Sequence, residues 1–179
     1  LSILVVNILP DSYPFCHIKN ENINRNGHIR DLLYHFKSTK SNLMYIVLVE
    51  QYKYDVFAVK FYPKKWRNSK NKYRLLTKTY EPRRIINTCI NIMLSIYDKN
   101  KNASFGFVGA NRIGESIKET KRYKVYSTII ATYFSDQLFY HKENKDKSAY
   151  LLINNNSLSK NPSLIRDIEE FFINQYNFD

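Results

Sequence analysis

Residues 103–134, ASFGFVGANRIGESIKETKRYKVYSTIIATYF, constrain this chain more than any other stretch. An apolar run broken by glycines, a polar loop and then apolar residues at helical spacing read as strand, tight loop and helix. Ser116 and Glu119 fit a capping box, so the spacing predicts a helix that opens at Ser116. Its inward stripe is Tyr126, Ile129, Ile130, Tyr133 and Phe134, and its first half is basic. Such a unit has an apolar strand and an apolar helix face to cover. The remaining residues must supply the sheet and the other helices.

Taken in order, residues 1–9 (LSILVVNIL) read as a strand ended by Pro10, and 10–27 as a loop rich in turn residues. Ile29, Leu32, Leu33 and Phe36 have helical spacing, which predicts a short amphipathic helix over His28 to Phe36. MYIVLVEQ and YDVFAVKFY then read as two strands joined tightly, and YRLLTKT as a third. Pro82 opens a helix at its first position, where a missing N–H costs little. Ile85, Ile86, Cys89, Ile90, Met93, Leu94 and Tyr97 form its apolar stripe. After the 103–134 unit come LFYHK and AYLLIN as two strands, then a last helix capped by Asn161 and Pro162. Its inward residues are Leu164, Ile165, Ile168, Phe171 and Phe172.

The expected architecture is α+β. From residue 43 the order is β-β-β-α-β-α-β-β-α: an antiparallel meander, then one sheet with helices packed mainly on one face. Residues 1–42 read as an N-terminal strand-helix arm and 43–179 as the α+β domain.

Charge narrows the partners. The 179 residues carry a formal net charge of +12, and Lys60 to Arg84 hold ten Lys or Arg against the single acid Glu81. A balance of this size favours polyanions. An AT-rich coding bias would raise Lys and Asn without selection on the protein, so part of the excess is compositional. Two cysteines, Cys16 and Cys89, match no zinc spacing and fit a reducing compartment. No run is long and apolar enough for a membrane helix, and the apolar start lacks a basic flank. The expectation is a cytoplasmic protein with no membrane partner.

The loop Gly109 to Ser116 has the spacing of a phosphate-binding loop, but Glu115 stands where that loop needs lysine. A carboxylate there repels phosphate, which argues against nucleotide hydrolysis. A weaker expectation keeps the loop as an anion site, with amides at the helix start flanked by Arg112 and Lys118. The stronger lead is nucleic acid. Lys118, Lys121, Arg122 and Lys124 lie among Tyr123 and Tyr126, and Lys64, Lys65 and Arg67 surround Trp66. Cations would contact phosphates, and Tyr123 and Trp66 would offer stacking platforms. Each cluster read alone is a solvated surface. Together they make a basic patch if the fold brings them to one side.

Catalytic chemistry is thinly supplied. Metal-independent RNA cleavage needs a base, an acid and phosphate-stabilising cations, and could use His141, Tyr140, Arg122 or Lys121. The carboxylates are dispersed and no histidine has metal spacing, so neither a metal nor a cofactor is called for.

The segments KYRLLT (72–77), RRIINTCINIML (83–94), ASFGFVGA (103–110), TKRYKVY (120–126) and SAYLLIN (148–154) resemble those of small uncharacterised bacterial α+β proteins. The resemblance spans about residues 43–155. It implies a meander, a central helix, another strand and a basic helix, with no known activity, cofactor or site residues. The leading reading is a non-enzymatic RNA or DNA binder. One alternative is a protein-interaction or regulatory module, a homo-oligomer included. The other is a metal-independent ribonuclease-type toxin.

Overall fold

The computed structural model describes residues 9–176. The strand expected over residues 1–9 lies outside them, apart from Leu9. Four strands come first: β1 (Phe15–Arg25), β2 (His28–Lys37), β3 (Met44–Tyr52) and β4 (Val56–Pro63). Helix α1 (Pro82–Lys99), β5 (Ser104–Val108) and α2 (Lys121–Tyr133) follow. The chain closes with β6 (Phe139–Asn144), β7 (Ala149–Asn154), the short α3 (Asn155–Lys160) and α4 (Leu164–Tyr176). The seven strands of the described residues form one sheet in the order β1-β2-β3-β4-β5-β7-β6. The mixed α+β class expected from sequence is what the chain adopts.

The largest difference from expectation is at the start. Residues 28–37 are the strand β2, not a helix, and much of the expected loop 10–27 is β1. Leu32, Tyr34 and Phe36 are the buried residues of β2, and their period is two. Asn26 and Gly27, with φ of 50° and 78°, turn the chain between β1 and β2. An Asn-Gly pair with both φ positive is the tight turn whose twist matches paired strands. β2 pairs β3 antiparallel, so β1 and β2 continue the sheet of β3 and β4.

The third meander strand expected over residues 73–79 is irregular chain. After a turn of 3-10 helix at Lys64–Trp66, the backbone leaves the sheet and returns only at β5. Because α1 lies between them, β5 pairs parallel to β4, through Val56↔Ser104 to Ala58↔Gly106. Antiparallel strands need only a tight turn, whereas a parallel pair needs a crossover of this kind.

Helices cover both faces of the sheet rather than mainly one. Adjacent residues separate the faces. Phe57 and Leu152 join the core under α1 and α2, while Val56 and Ile153 pack with Leu164 and Ile168 of α4. The inward residues expected for α2 and for the last helix are found against these cores. Ile130 and Phe134 are buried, and Phe172 stacks edge-on against Tyr52 at 5.5 Å.

α1 starts at Pro82 as expected and is buried on more than its apolar stripe. Its polar side pins the chain before β1. Asn91 Oδ1 accepts from the Leu9 amide and Thr88 Oγ1 from the Tyr13 amide, both at 2.8 Å. Buried polar groups are stable when bonded in this way. Among the described residues, no helix is long and apolar enough to cross a membrane.

Candidate functional site

The loop after β5 sets the geometry of the basic region. The helix does not open at Ser116. It opens at Lys121, and Thr120 is its cap, accepting from the Tyr123 amide at 3.1 Å. Thr120 also donates to the Gly109 carbonyl at 2.6 Å, closing the loop on itself. Lys118 therefore lies in a turn outside the helix that carries Lys121, Arg122 and Lys124. Lys118 pairs instead with Asp146 at 2.9 Å on the open surface.

Glu115 explains why the loop is not a phosphate cradle. Its carboxylate accepts from the Arg112 amide at 2.8 Å and the Lys121 amide at 3.0 Å. The Arg112 guanidinium lies 3.5 Å away. These amides, chiefly that of Arg112, hold the carboxyl below its ordinary value. The loop's donors thus already hold an anion, and it is the protein's own. The anion site expected on the amides after Ser116 lacks the helix start it was built on, since α2 opens at Lys121.

Cations nevertheless converge beside this loop. Residues 73–75 return to α2, where Arg122 donates to the carbonyls of Tyr73 and, at 2.7 Å, Leu75. Arg74 donates to the Asn111 carbonyl at 3.2 Å. Between this segment and the loop opens a pocket of about 660 Å³, to which Arg74, Lys78, Arg112 and Lys121 contribute. Its one acid is Glu115, already bonded. Arg122, expected at phosphate, is instead a brace for backbone carbonyls.

The other expected residues separate. Lys124 is exposed on α2. Lys64, Lys65 and Arg67 are exposed at the far end of β4 and line no part of this pocket. Trp66 is half-buried, with the Lys65 ammonium 4.9 Å from its ring centroid. Tyr123, expected as a stacking platform, is buried, and its hydroxyl donates to Glu143 at 2.8 Å.

Tyr140 and His141 do not converge, because neighbours on a strand point to opposite faces. Tyr140 pairs with Ile153 and His141 with Leu152. The His141 ring is mostly buried and both nitrogens are engaged. Nε2 lies 3.0 Å from the Phe134 carbonyl, to which it donates, and 3.3 Å from the Asp136 carboxylate, while Nδ1 shares a 2.7 Å hydrogen bond with the Tyr150 hydroxyl. Tyr150 is itself stacked on Phe107 at 5.4 Å. The His141 bonds tie β6 to β7 and to the end of α2. Among the described residues, no group of three or more His, Cys, Asp or Glu could hold a metal.

Arg74 and Lys78 escaped sequence reasoning although both lie in the densest positive stretch. Reading residues 73–79 as a strand hid their return to α2. A second missed cluster is Tyr13, Ser38 and Glu81, at the start of α1. Glu81 is 6% exposed, and its Oε2 accepts from Ser38 at 2.7 Å and from Tyr13. No family model matches the chain, and no curated protein and no solved structure matches it.

Proposed function

We propose that this protein is a cytoplasmic, non-enzymatic binder of RNA or DNA that engages phosphates with Arg74, Lys78, Arg112 and Lys121. The observation that carries the reading is their convergence on one pocket whose single carboxylate is bonded to backbone amides. Four cations against one carboxylate, which the Arg112 guanidinium offsets, leave a net positive charge that attracts a backbone of phosphates. Exposed Lys124 extends the positive surface along α2. The net charge of +12 favours association at long range. Phosphate contacts of this kind position a nucleic acid without reading its sequence, so binding is expected to be sequence-tolerant.

The interior engagement of His141 supports binding over metal-independent cleavage. The test is fluorescence anisotropy with short single-stranded RNA and duplex DNA, at about 50 and 200 mM salt, the range over which counterion release is plain. A Lys78→Ala/Lys121→Ala variant should bind more weakly to every sequence and lose about two from the salt slope. A Lys64→Ala/Lys65→Ala/Arg67→Ala variant should keep most of the affinity. Binding that ignores the first variant and follows the second would overturn the assignment of the pocket. Absence of salt-dependent binding by the unaltered protein would overturn the function.

A further inference from the structure

Past Ala58, β4 runs on without β5 beside it, since only three residue pairs join the two strands. Residues 75–79 line the gap, held by the Arg122 bond to the Leu75 carbonyl. A cavity of about 1190 Å³ results. It adjoins the basic pocket, because Leu75, Leu76, Lys78, Arg112 and Lys121 line both.

Apolar side chains are left open to this space. Leu76 is 47% exposed and Val125 39%, and both line the cavity. Phe61 and Phe107 are half-buried and continue its wall, each against the Tyr126 ring, at 5.8 and 6.0 Å between centroids. Large apolar side chains gain by leaving water, and a concave wall of them beside a few charged groups is the form of a small-molecule site.

Both walls pair an ammonium with an aliphatic side chain. On α2, Val125 lies one turn after Lys121, on the same side of the helix. On the facing segment, Leu76 lies two residues before Lys78. Both lysines are exposed. Among the described residues, the acids lining the cavity are Glu81 and Glu169, and both are engaged elsewhere. Glu81 accepts from Tyr13 and Ser38, and Glu169 pairs with Lys142 at 3.6 Å. The lysine end therefore favours an anion.

We propose that the cavity binds a long-chain aliphatic carboxylate, its head between Lys78 and Lys121 and its chain along Leu76, Val125, Phe61 and Phe107. A nucleobase suits this wall poorly. Its N–H and carbonyl groups would lose water without gaining partners, whereas an aliphatic chain has none to satisfy. Lys78 and Lys121 are also the phosphate contacts assigned above, so carboxylate and nucleic acid should exclude each other. That consequence rests on the nucleic-acid reading; the binding of the carboxylate does not.

The test is calorimetric titration of the full chain at pH 7 with decanoate, decylamine, decanol and butyrate, each below any micelle concentration. Decanoate should bind saturably at one site. Decylamine and decanol should bind at least about tenfold more weakly, and butyrate, a head without a chain, not measurably. Leu76→Gln/Val125→Gln alters only exposed side chains, so it should fold, as a cooperative melt would show. It should lose about tenfold in decanoate affinity, since each change puts an amide into the apolar wall, and still bind RNA. Lys78→Ala/Lys121→Ala should weaken decanoate and RNA together. No saturable decanoate binding, equal binding of decanol, or undiminished binding by the folded Leu76→Gln/Val125→Gln variant would each overturn the proposal. Decanoate binding without RNA binding would overturn the nucleic-acid reading alone, and RNA binding without decanoate binding this proposal alone.

Discussion

The Arg122 guanidinium donates to the Leu75 carbonyl at 2.7 Å, across a sequence separation of 47 residues. With its bond to Tyr73 it ties the first turn of α2 to the irregular chain that leaves β4. Together with the Arg74 bond to the Asn111 carbonyl, it keeps the segment that bears Arg74 and Lys78 beside Lys121. Arg122→Ala should therefore lower stability by about 2–3 kcal/mol, the scale of hydrogen bonds from a charged donor. Arg122→Lys should recover only part, since a lysine lacks the fork that spans two carbonyls. Urea melts give the stability, and amide exchange at residues 73–79 locates the effect. Unchanged protection of that segment in Arg122→Ala would refute the bracing role.

Gly109 passes so close to α2 that a Cβ there would sit 2.4 Å from the Tyr123 backbone nitrogen. Backbone cannot swing aside as a flexible side chain does. Gly109→Ala should cost more than about 3 kcal/mol, among the large effects tied to a named steric cause. A denaturant midpoint close to that of the unaltered protein would show that the strand and helix part easily.

Acid should weaken the fold through Glu81. Burial alone would raise its carboxyl, but the Tyr13, Ser38, Ser41 and Thr79 hydroxyls together outweigh burial and hold it below the ordinary 4.5. A group whose pKa is depressed in the folded state adds stability above its unfolded value. That contribution is lost as pH falls below about 4.5 and through the folded value. Glu81→Gln should be less stable at pH 7 and show a flatter decline toward pH 3. Thermal melts across that range compare the two, and parallel acid limbs would exclude Glu81 as a source of the slope.

The two thiols should differ in reactivity. Burial pushes the Cys89 thiol up to about 12, whereas Cys16 is exposed on β1. Thiolate is the reactive form, so at pH 8 Cys89 should be alkylated orders of magnitude more slowly than Cys16. Mass spectrometry after brief iodoacetamide treatment would count one modified site in the native protein and two after denaturation. Rapid double modification of the native protein would mean that α1 opens readily.

The differences between sequence reading and structure share a cause, seen in three places. Ile29, Leu32, Leu33 and Phe36 satisfy a helical period, while Leu32, Tyr34 and Phe36 satisfy a strand period in the same ten residues. The neighbour β3 decides, because pairing satisfies the backbone of β2 and buries the second set. The Asn26-Gly27 pair was the local signal for that hairpin. Residues 73–79 have strand composition but meet no sheet edge, and Arg122 takes two of their carbonyls instead. Ser116 and Glu119 have capping-box spacing, yet Glu119 has a φ of 46° and Thr120 supplies the cap. The basic site was half legible for the same reason. Arg112 and Lys121 sit next to a recognisable loop, whereas Arg74 and Lys78 reach it only through the fold.

By itself, the sequence determined the α+β class, the helix from Pro82, the strand pairs around residues 44–63 and 139–154, and the strongly basic balance. These follow from periodicity, proline and glycine chemistry, and counted charge, all written within a few residues of one another. Only the tertiary structure decided that residues 28–37 are a strand, that helices cover both faces and that Tyr140 and His141 point apart. It alone brought Arg74 and Lys78 to Lys121, and Glu81 to Tyr13. The physical reason is range. A backbone amide or a buried carboxylate takes whichever partner packing brings to it, and here those partners lie tens of residues away.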